Sequence, residues 1–382
     1  VKPKVMTIAL VAPSLDILGG QAVQARSLME ALARDGQDVL FVPVNPRFPY
    51  GLRWLRRVPV LRTLLNECLY FARLTRLREA DVVHVFSASY WSFLLAPVPA
   101  IIAARLFAKP VILNYHSGEA QDHLARYGAL VHPWLRWVDE IVVPSAYLRD
   151  VFAEYGYRAR VVRNIVDTSR FRFRERPALR PLLLSNRNLE AHYRVDVTLE
   201  AFAILRQRWP QARLTIAGYG RERRRLEQRV REQRLGGVEF VGRVEPDAMP
   251  GLYEEADIFV NASVVDNQPV SILEAFAAGL PVVTTPTGDI PAMVRDKETG
   301  TLVPPDDREA LAAAIAALLE SPQRAARMAG LAREWVQQFT WPQVCGAWID
   351  VYRLMLGTNT GRDGVRTDPD EMTVARDTRD AR

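Results

Sequence analysis

The chain has 382 residues, 49% of them hydrophobic and 25% charged, with a net charge of +6. That length supports two domains with full cores, and no apolar run reaches membrane-spanning length, which argues against a transmembrane protein. Cys68 and Cys345 are too few and too far apart for a disulfide framework or a metal site, and fit a reducing cytoplasm.

The start, VKPKVMTIALVAPSLD, has lysines ahead of a short apolar run, but Pro13 and Asp16 end it without a small-residue cleavage pattern. A first buried strand, Ile8 to Ala12, is therefore expected in place of a secretory signal. A loop with Gly19 and Gly20, a helix, a turn at Gly36 and a second strand follow, making a βαβ unit. The glycines do not form G-x-G-x-x-G, and no acidic residue stands where a nicotinamide enzyme needs one. Residues 46–78 are rich in arginine, with Phe48, Tyr50, Trp54, Leu61 and Leu64 interleaved. Two readings stay open for this stretch: an interfacial membrane contact, or a helix covering the sheet with its arginines in water. The first 172 residues hold the positive excess and the remainder is slightly acidic, which suits an anionic surface or acceptor for the first half.

DVVHVF (Asp81 to Phe86) reads as a strand, and Trp91 to Phe107, interrupted by Pro97, Pro99 and Arg105, as a packed helix pair. PVILNY (Pro110 to Tyr115) is another strand and ends in His116, a position that faces the cleft in a doubly wound sheet. EIVVP, the helix after Ser145, and the run to Asp167 complete a first domain, and FRFRERPALRP (171–181) is polar and Pro-bearing enough for a linker. The second domain opens at Leu182 and continues through Arg187, a helix over Ala201 and Phe202, the strand before Gly218 and Gly220, a charged helix, and GVEFVG ending at Gly242 and Arg243.

IFVNASVVDNQPVSILEAFAAGLPVVTTPTG (258–288) then reads as strand, loop, helix and strand. Such a unit aims a helix N-terminus, with its free N–H groups, at the carboxyl edge of the sheet. Asp266 and Glu274 flank the helix start; carboxylates there would accept hydrogen bonds from sugar hydroxyls beside a phosphate pocket. The local pattern also permits a capping box, with Glu274 returning to the Ser271 backbone.

The same stretch resembles the acidic-x7-Glu motif and the "EAxAxGxPVV" tail of the retaining glycosyltransferase family 4. Asp266 stands where that family usually has Glu, and Asn267-Gln268-Pro269 where it usually has Gly-Phe-Gly or Gly-Phe-Pro. The resemblance covers about residues 5–355 and implies the α/β GT-B architecture, two Rossmann-like domains with parallel sheets facing across a cleft. On that reading residues 1–172 form the acceptor domain, with a C-terminal helix (338–356) packing back on it. Residues 173–337 form the donor domain, and 357–382 a disordered tail.

The implied activity is transfer of a sugar from a nucleoside diphosphate sugar to an acceptor hydroxyl with retention. The resemblance puts Gly19 and Gly20 against donor phosphate, Asp16 near the acceptor hydroxyl, His116 beside the transferring sugar and Arg187 on the diphosphate. The family's second phosphate cation, a Lys, is missing here, and Arg194 is its expected substitute. Gly218, Gly220, Gly242, Arg243, Asp266, Asn267, Gln268, Val270, Ser271 and Glu274 complete the implied donor site. Neither a metal nor a cofactor is implied, because cationic protein groups stand in that role. Of the four lysines, neither Lys109 nor Lys297 sits where a pyridoxal-bearing phosphorylase would need one. The expected partners are the donor and an acceptor of unassigned identity, lipid-linked or envelope glycan among the candidates, with peripheral membrane contact through residues 47–78 and no nucleic acid. The alternative is a catalytically impaired nucleotide-sugar binder or assembly partner, favoured by the missing Lys.

Overall fold

A computed structural model describes residues 5–15, 19–51, 54, 58–87 and 89–359. Asp16 and residues 360–382, the greater part of the expected tail, lie outside the described residues. The helix that precedes the tail runs to Asn359, three residues into the segment expected to be irregular.

Two six-stranded sheets carry the fold, and every strand pairing in them is parallel. The first holds β1 (Thr7–Ala12), β2 (Asp38–Pro43), β3 (Val82–Ser87), β4 (Val111–Tyr115), β5 (Glu140–Val143) and β6 (Ala159–Val161), in the order β2-β1-β3-β4-β5-β6. The second holds β7 (Leu182–Asn186), β8 (Arg213–Ala217), β9 (Val238–Gly242), β10 (Ile258–Asn261), β11 (Val282–Thr284) and β12 (Thr301–Leu302), in the order β12-β11-β10-β7-β8-β9. Strand order reverses between β1 and β3 in one sheet and between β7 and β10 in the other. Such switch points open a crevice at the carboxyl edge. The β-branched runs explain the strands: β1, β3 and β4 are buried almost end to end, as strands covered by helices on both faces must be.

The residues 91–107 form the expected helix pair, Trp91–Leu95 and Pro97–Leu106. A helix over Ala120–Leu135, for which the sequence offered no assignment, carries Pro133 inside it. The helix Trp341–Asn359 crosses back onto the first sheet, where Val344, Trp348, Val351, Tyr352 and Met355 share a core with Ile8, Leu10, Val82 and Ile112. The segment 171–181 is a brace and not a free linker. Arg176 is only 4% exposed and donates to the carbonyls of Tyr253, Ala256, Ala278 and Gly279. Beside it, fully buried Asp257 is held by Arg174, Arg176 and Arg180. Burial pushes the Asp257 carboxyl up, but the hydrogen bonds from Arg180 and Arg174 outweigh that and hold it below the usual range.

Candidate active site

The carboxyl ends of β1, β4 and β6 face those of β7, β8, β9 and β10 across a cleft with a cavity of about 380 Å³. Its walls include Gly19 and Gly20 after β1, His116 and Glu119 after β4, and Asn164 after β6. The second sheet contributes Arg187, Gly218, Arg243, Asp266, Asn267, Gln268, Val270, Ser271 and Glu274. Most of the expected site residues are thus brought together, though they are spread over more than 250 positions of sequence.

Two helices open into this cleft with bare N-termini. The helix Gly20–Arg34 starts from Gly19 and the helix Val270–Ala278 from Pro269, and neither has a side-chain cap. The uncapped first turns leave backbone N–H groups and the positive dipole ends for a ligand. A Cβ on Gly19 or Gly20 would meet nothing in the protein within 4 Å, so packing does not require glycine there. Gly218 and Gly220 differ: a Cβ would strike the carbonyl oxygens of Arg187 and Leu189 at 2.1 and 2.2 Å, so these glycines let two loops pass backbone to backbone.

Arg187 is the central cation. Its guanidinium pairs with Asp266 at 2.5 Å, donates to Ser271 Oγ at 3.2 Å and lies 4.2 Å from the centre of the Tyr193 ring. Asp266 is therefore an ion-pair partner before it is anything else, and its other oxygen takes the Asn267 backbone N–H. Nε of Arg187 and Nε2 of His116 are buried without a hydrogen-bond partner; orphaned polar atoms in a cleft are what a ligand satisfies. The His116 ring stacks on Phe86 with centroids 5.2 Å apart, and burial pushes its pKa down to about 3, so the imidazole is neutral.

Glu274 does not close a capping box. Its carboxylate accepts a hydrogen bond from the Tyr253 hydroxyl at 2.7 Å, and Asn186 donates in turn to the Tyr253 oxygen at 3.0 Å. Burial pushes the Glu274 carboxyl up to about 7, with the Tyr253 hydrogen bond and Arg170 pulling the other way. A second cavity of about 380 Å³ lies between the helix Gly20–Arg34, the crossing at 165–171 and residues 337–342. It shares Val23, Arg170, Pro246, Val270 and Glu274 with the cleft, so Glu274 stands where the two meet.

Among the described residues, three expected site residues do not line the cleft. Arg194 takes a left-handed conformation (φ 49°) at the start of the helix Val195–Arg208, and its side chain turns to Asp306 at 2.8 Å. Gly220 serves loop packing, as above. Gly242, at φ 73°, ends β9, and a Cβ there would come 2.8 Å from the Arg223 guanidinium. Asn267 and Gln268 do line the cleft, but their side chains are bonded to the first domain. Sequence reasoning missed Tyr253, Asn186 and Glu119, whose local patterns carry no signal of their own.

Comparison with known proteins agrees with this geometry. Residues 18–170 match the family model described as Glycosyltransferase Family 4, and residues 180–321 match Glycosyl transferases group 1. A glycogen synthase of Mycobacterium tuberculosis is 33% identical over 288 residues, covering 71% of this chain and 68% of that protein. A phosphatidyl-myo-inositol mannosyltransferase of Mycolicibacterium smegmatis is 25% identical over 378 residues, covering 92% and 95%. The crystal structure of Anabaena Alr3699/HepE in complex with UDP-glucose superposes with a TM-score of 0.72 at 18% identity, covering 93% of this chain and 99% of that one. The chain belongs to the group 1 glycosyltransferases of family 4, GT-B enzymes that move a sugar from a nucleoside diphosphate sugar to an acceptor hydroxyl with retention of configuration.

Proposed function

We propose that Arg187 and the two bare helix N-termini hold the donor diphosphate, and that Glu274 takes hydrogen bonds from the ribose diol. Neutral His116, from the facing domain, borders the sugar. As the bond from the sugar to the diphosphate breaks, negative charge grows on the leaving group, and preorganised donors aimed at that charge lower the barrier. Arg187 must then exchange Asp266 for phosphate, and the freed carboxylate lies next to the sugar hydroxyls it can accept from. The observation that carries this reading is the position of Arg187: a buried guanidinium with an unused Nε at the switch point of the second sheet. Arg194 has no part in it, and no metal or cofactor is invoked. Isothermal titration of nucleoside diphosphates tests the assignment, with affinity expected to depend on Arg187.

The acceptor is a membrane-presented lipid or glycan, and the enzyme works from the cytoplasmic face. The helix Pro59–Leu74 buries Tyr70 and Leu74 but leaves a second apolar stripe in water: Val60, Leu64, Cys68 and Phe71. Tyr50 and Trp54, 84% and 61% exposed, precede it, and Arg62, Arg73, Arg76 and Arg78 are exposed around it. A helix apolar on both faces has one face too many for a monomer in water, and basic residues beside it favour an anionic bilayer at about 1 kcal/mol each. Among the described residues no helix is long and apolar enough to cross a membrane, so contact would be peripheral. Two relatives act, by their names, on phosphatidylinositol-based lipids. Sedimentation with anionic and neutral vesicles at low and high salt is the test. Binding confined to anionic vesicles at low salt, and weakened by Leu64→Gln with Phe71→Ser, is expected; equal recovery in every supernatant would end the membrane proposal.

A further inference from the structure

The dipeptide Asn267-Gln268 sits in the loop after β10, yet its side chains reach three loops of the other domain. Ser145 Oγ donates to Asn267 Oδ1 at 2.5 Å, and Asn267 Nδ2 donates to the His116 carbonyl at 3.4 Å. The Asn164 backbone N–H donates to Gln268 Oε1 at 2.8 Å, and Asn164 Nδ2 to the Gln268 carbonyl at 2.9 Å. Gln268 Nε2 donates to the carbonyl of Pro144 at 2.9 Å and to Asp289 Oδ2 at 3.0 Å. All of this is dry: Asn267, Gln268, Asn164 and Ser145 are 5%, 6%, 5% and 1% exposed. Nearby, the backbones themselves meet, for a Cβ on Gly118 would lie 2.7 Å from the carbonyl carbon and oxygen of Asp266.

Apart from the Gln268 bond to Asp289 in its own domain, the two amide side chains therefore spend their hydrogen-bonding capacity across the domain boundary and not on the cleft they border. We infer that Asn267 and Gln268 are a latch: positioning residues that hold the domains closed and fix His116 over the donor loop, before any donor arrives. The resting closed state follows from the chemistry. Open, these groups exchange their partners for water; closed with the latch cut, the Asn164 N–H and the Pro144 carbonyl are left buried and unsatisfied, and stranding one or two such groups changes the open-to-closed ratio by about tenfold to a hundredfold. A donor that binds only the closed form then binds more weakly when the latch is cut, by the fraction of molecules still closed. The inference rests on the cleft being the transfer site, but the closure itself is measurable without turnover.

Two variants of the full chain test it by small-angle X-ray scattering without ligand. Gln268→Ala removes two of the hydrogen bonds that cross the boundary, to Asn164 and Pro144, and one to Asp289 within the second domain. Gly118→Ala puts a methyl group into the domain contact and leaves the hydrophobic cores alone. Both are expected to enlarge the radius of gyration while unfolding stays cooperative. Both are expected to raise the donor KM about tenfold with kcat at saturation within about threefold, since the latch acts on population and not on the reacting bond. Scattering profiles of both variants identical to the parent would overturn the latch whatever the activity. If Gln268→Ala fails to fold, Gly118→Ala decides alone. An expanded pair of variants in a protein with no turnover would sink the transfer reading and leave the latch standing.

Discussion

Replacing Glu274 by Gln separates a functional carboxylate from a structural one. The group's ordinary pKa of 4.5 rises to about 7 in the fold, chiefly by burial. At about 1.36 kcal/mol per tenfold change in proton affinity, keeping it ionised in the folded protein costs about 3 kcal/mol. The folded value lies above the unfolded one. Its contribution to stability is therefore complete below pH 4.5 and is lost as pH rises through about 7. A neutral amide of the same shape does not carry that penalty. Glu274→Gln is expected to match the parent in urea unfolding at pH 4 and to exceed it by about 1–3 kcal/mol at pH 8, the lower figure allowing for a weaker bond to Tyr253. Donor affinity should move the opposite way and fall about tenfold to a hundredfold, because hydrogen bonds to a charged acceptor are the stronger ones. In the parent, donor binding should strengthen as pH rises from 6 to 8, since the diol prefers the ionised carboxylate. A variant less stable than the parent at pH 8, with donor affinity unchanged, would refute this reasoning and return Glu274 to a purely structural role.

Arg187→Ala should weaken nucleoside diphosphate binding more than tenfold in calorimetry, and Asp266→Asn in the same chain should recover stability without recovering affinity. Arg194→Ala should leave nucleotide affinity unchanged and cost at most about 1 kcal/mol in urea unfolding, as expected for a half-exposed ion pair. Arg176→Ala should cost about 3 kcal/mol or more, because it strands buried carbonyls of Tyr253, Ala256, Ala278 and Gly279 and leaves buried Asp257 short of a partner.

Much of the architecture was legible because parallel strands covered on both faces announce themselves as short β-branched runs: DVVHVF, PVILNY and PVVTT needed only their flanking turns to be located. The lining of the cleft was legible where a motif directly follows a strand, as for Arg187 after β7 and His116 after β4. What escaped depends on contacts far apart in sequence. Tyr253 and Glu274 meet 21 positions apart, and Gln268 meets Asn164 across 104; nothing in either local pattern foretells the partner. Arg194 was misdirected in the same way. Its backbone sits at φ 49° and its side chain pairs with Asp306, an acidic partner 112 positions away that the local sequence does not announce. Arg176 lay in a stretch whose charge and prolines resemble a linker, yet a guanidinium with five N–H donors can knit a buried crossing where bare carbonyls converge. Helix Ala120–Leu135 was obscured by Gly128 and Pro133, two breakers that its packing overrides.

The central claim is donor transfer with retention from a cleft centred on Arg187. The most direct measurement incubates the full chain with a panel of nucleoside diphosphate sugars and hydroxyl acceptors in anionic vesicles, and reads the anomeric centre of the product by proton NMR. One or more donors are expected to be consumed only with acceptor present, to give a product of the donor's own anomeric configuration, and that product is expected to be lost in Arg187→Ala. A product of inverted configuration, or undiminished transfer by Arg187→Ala, would contradict the claim.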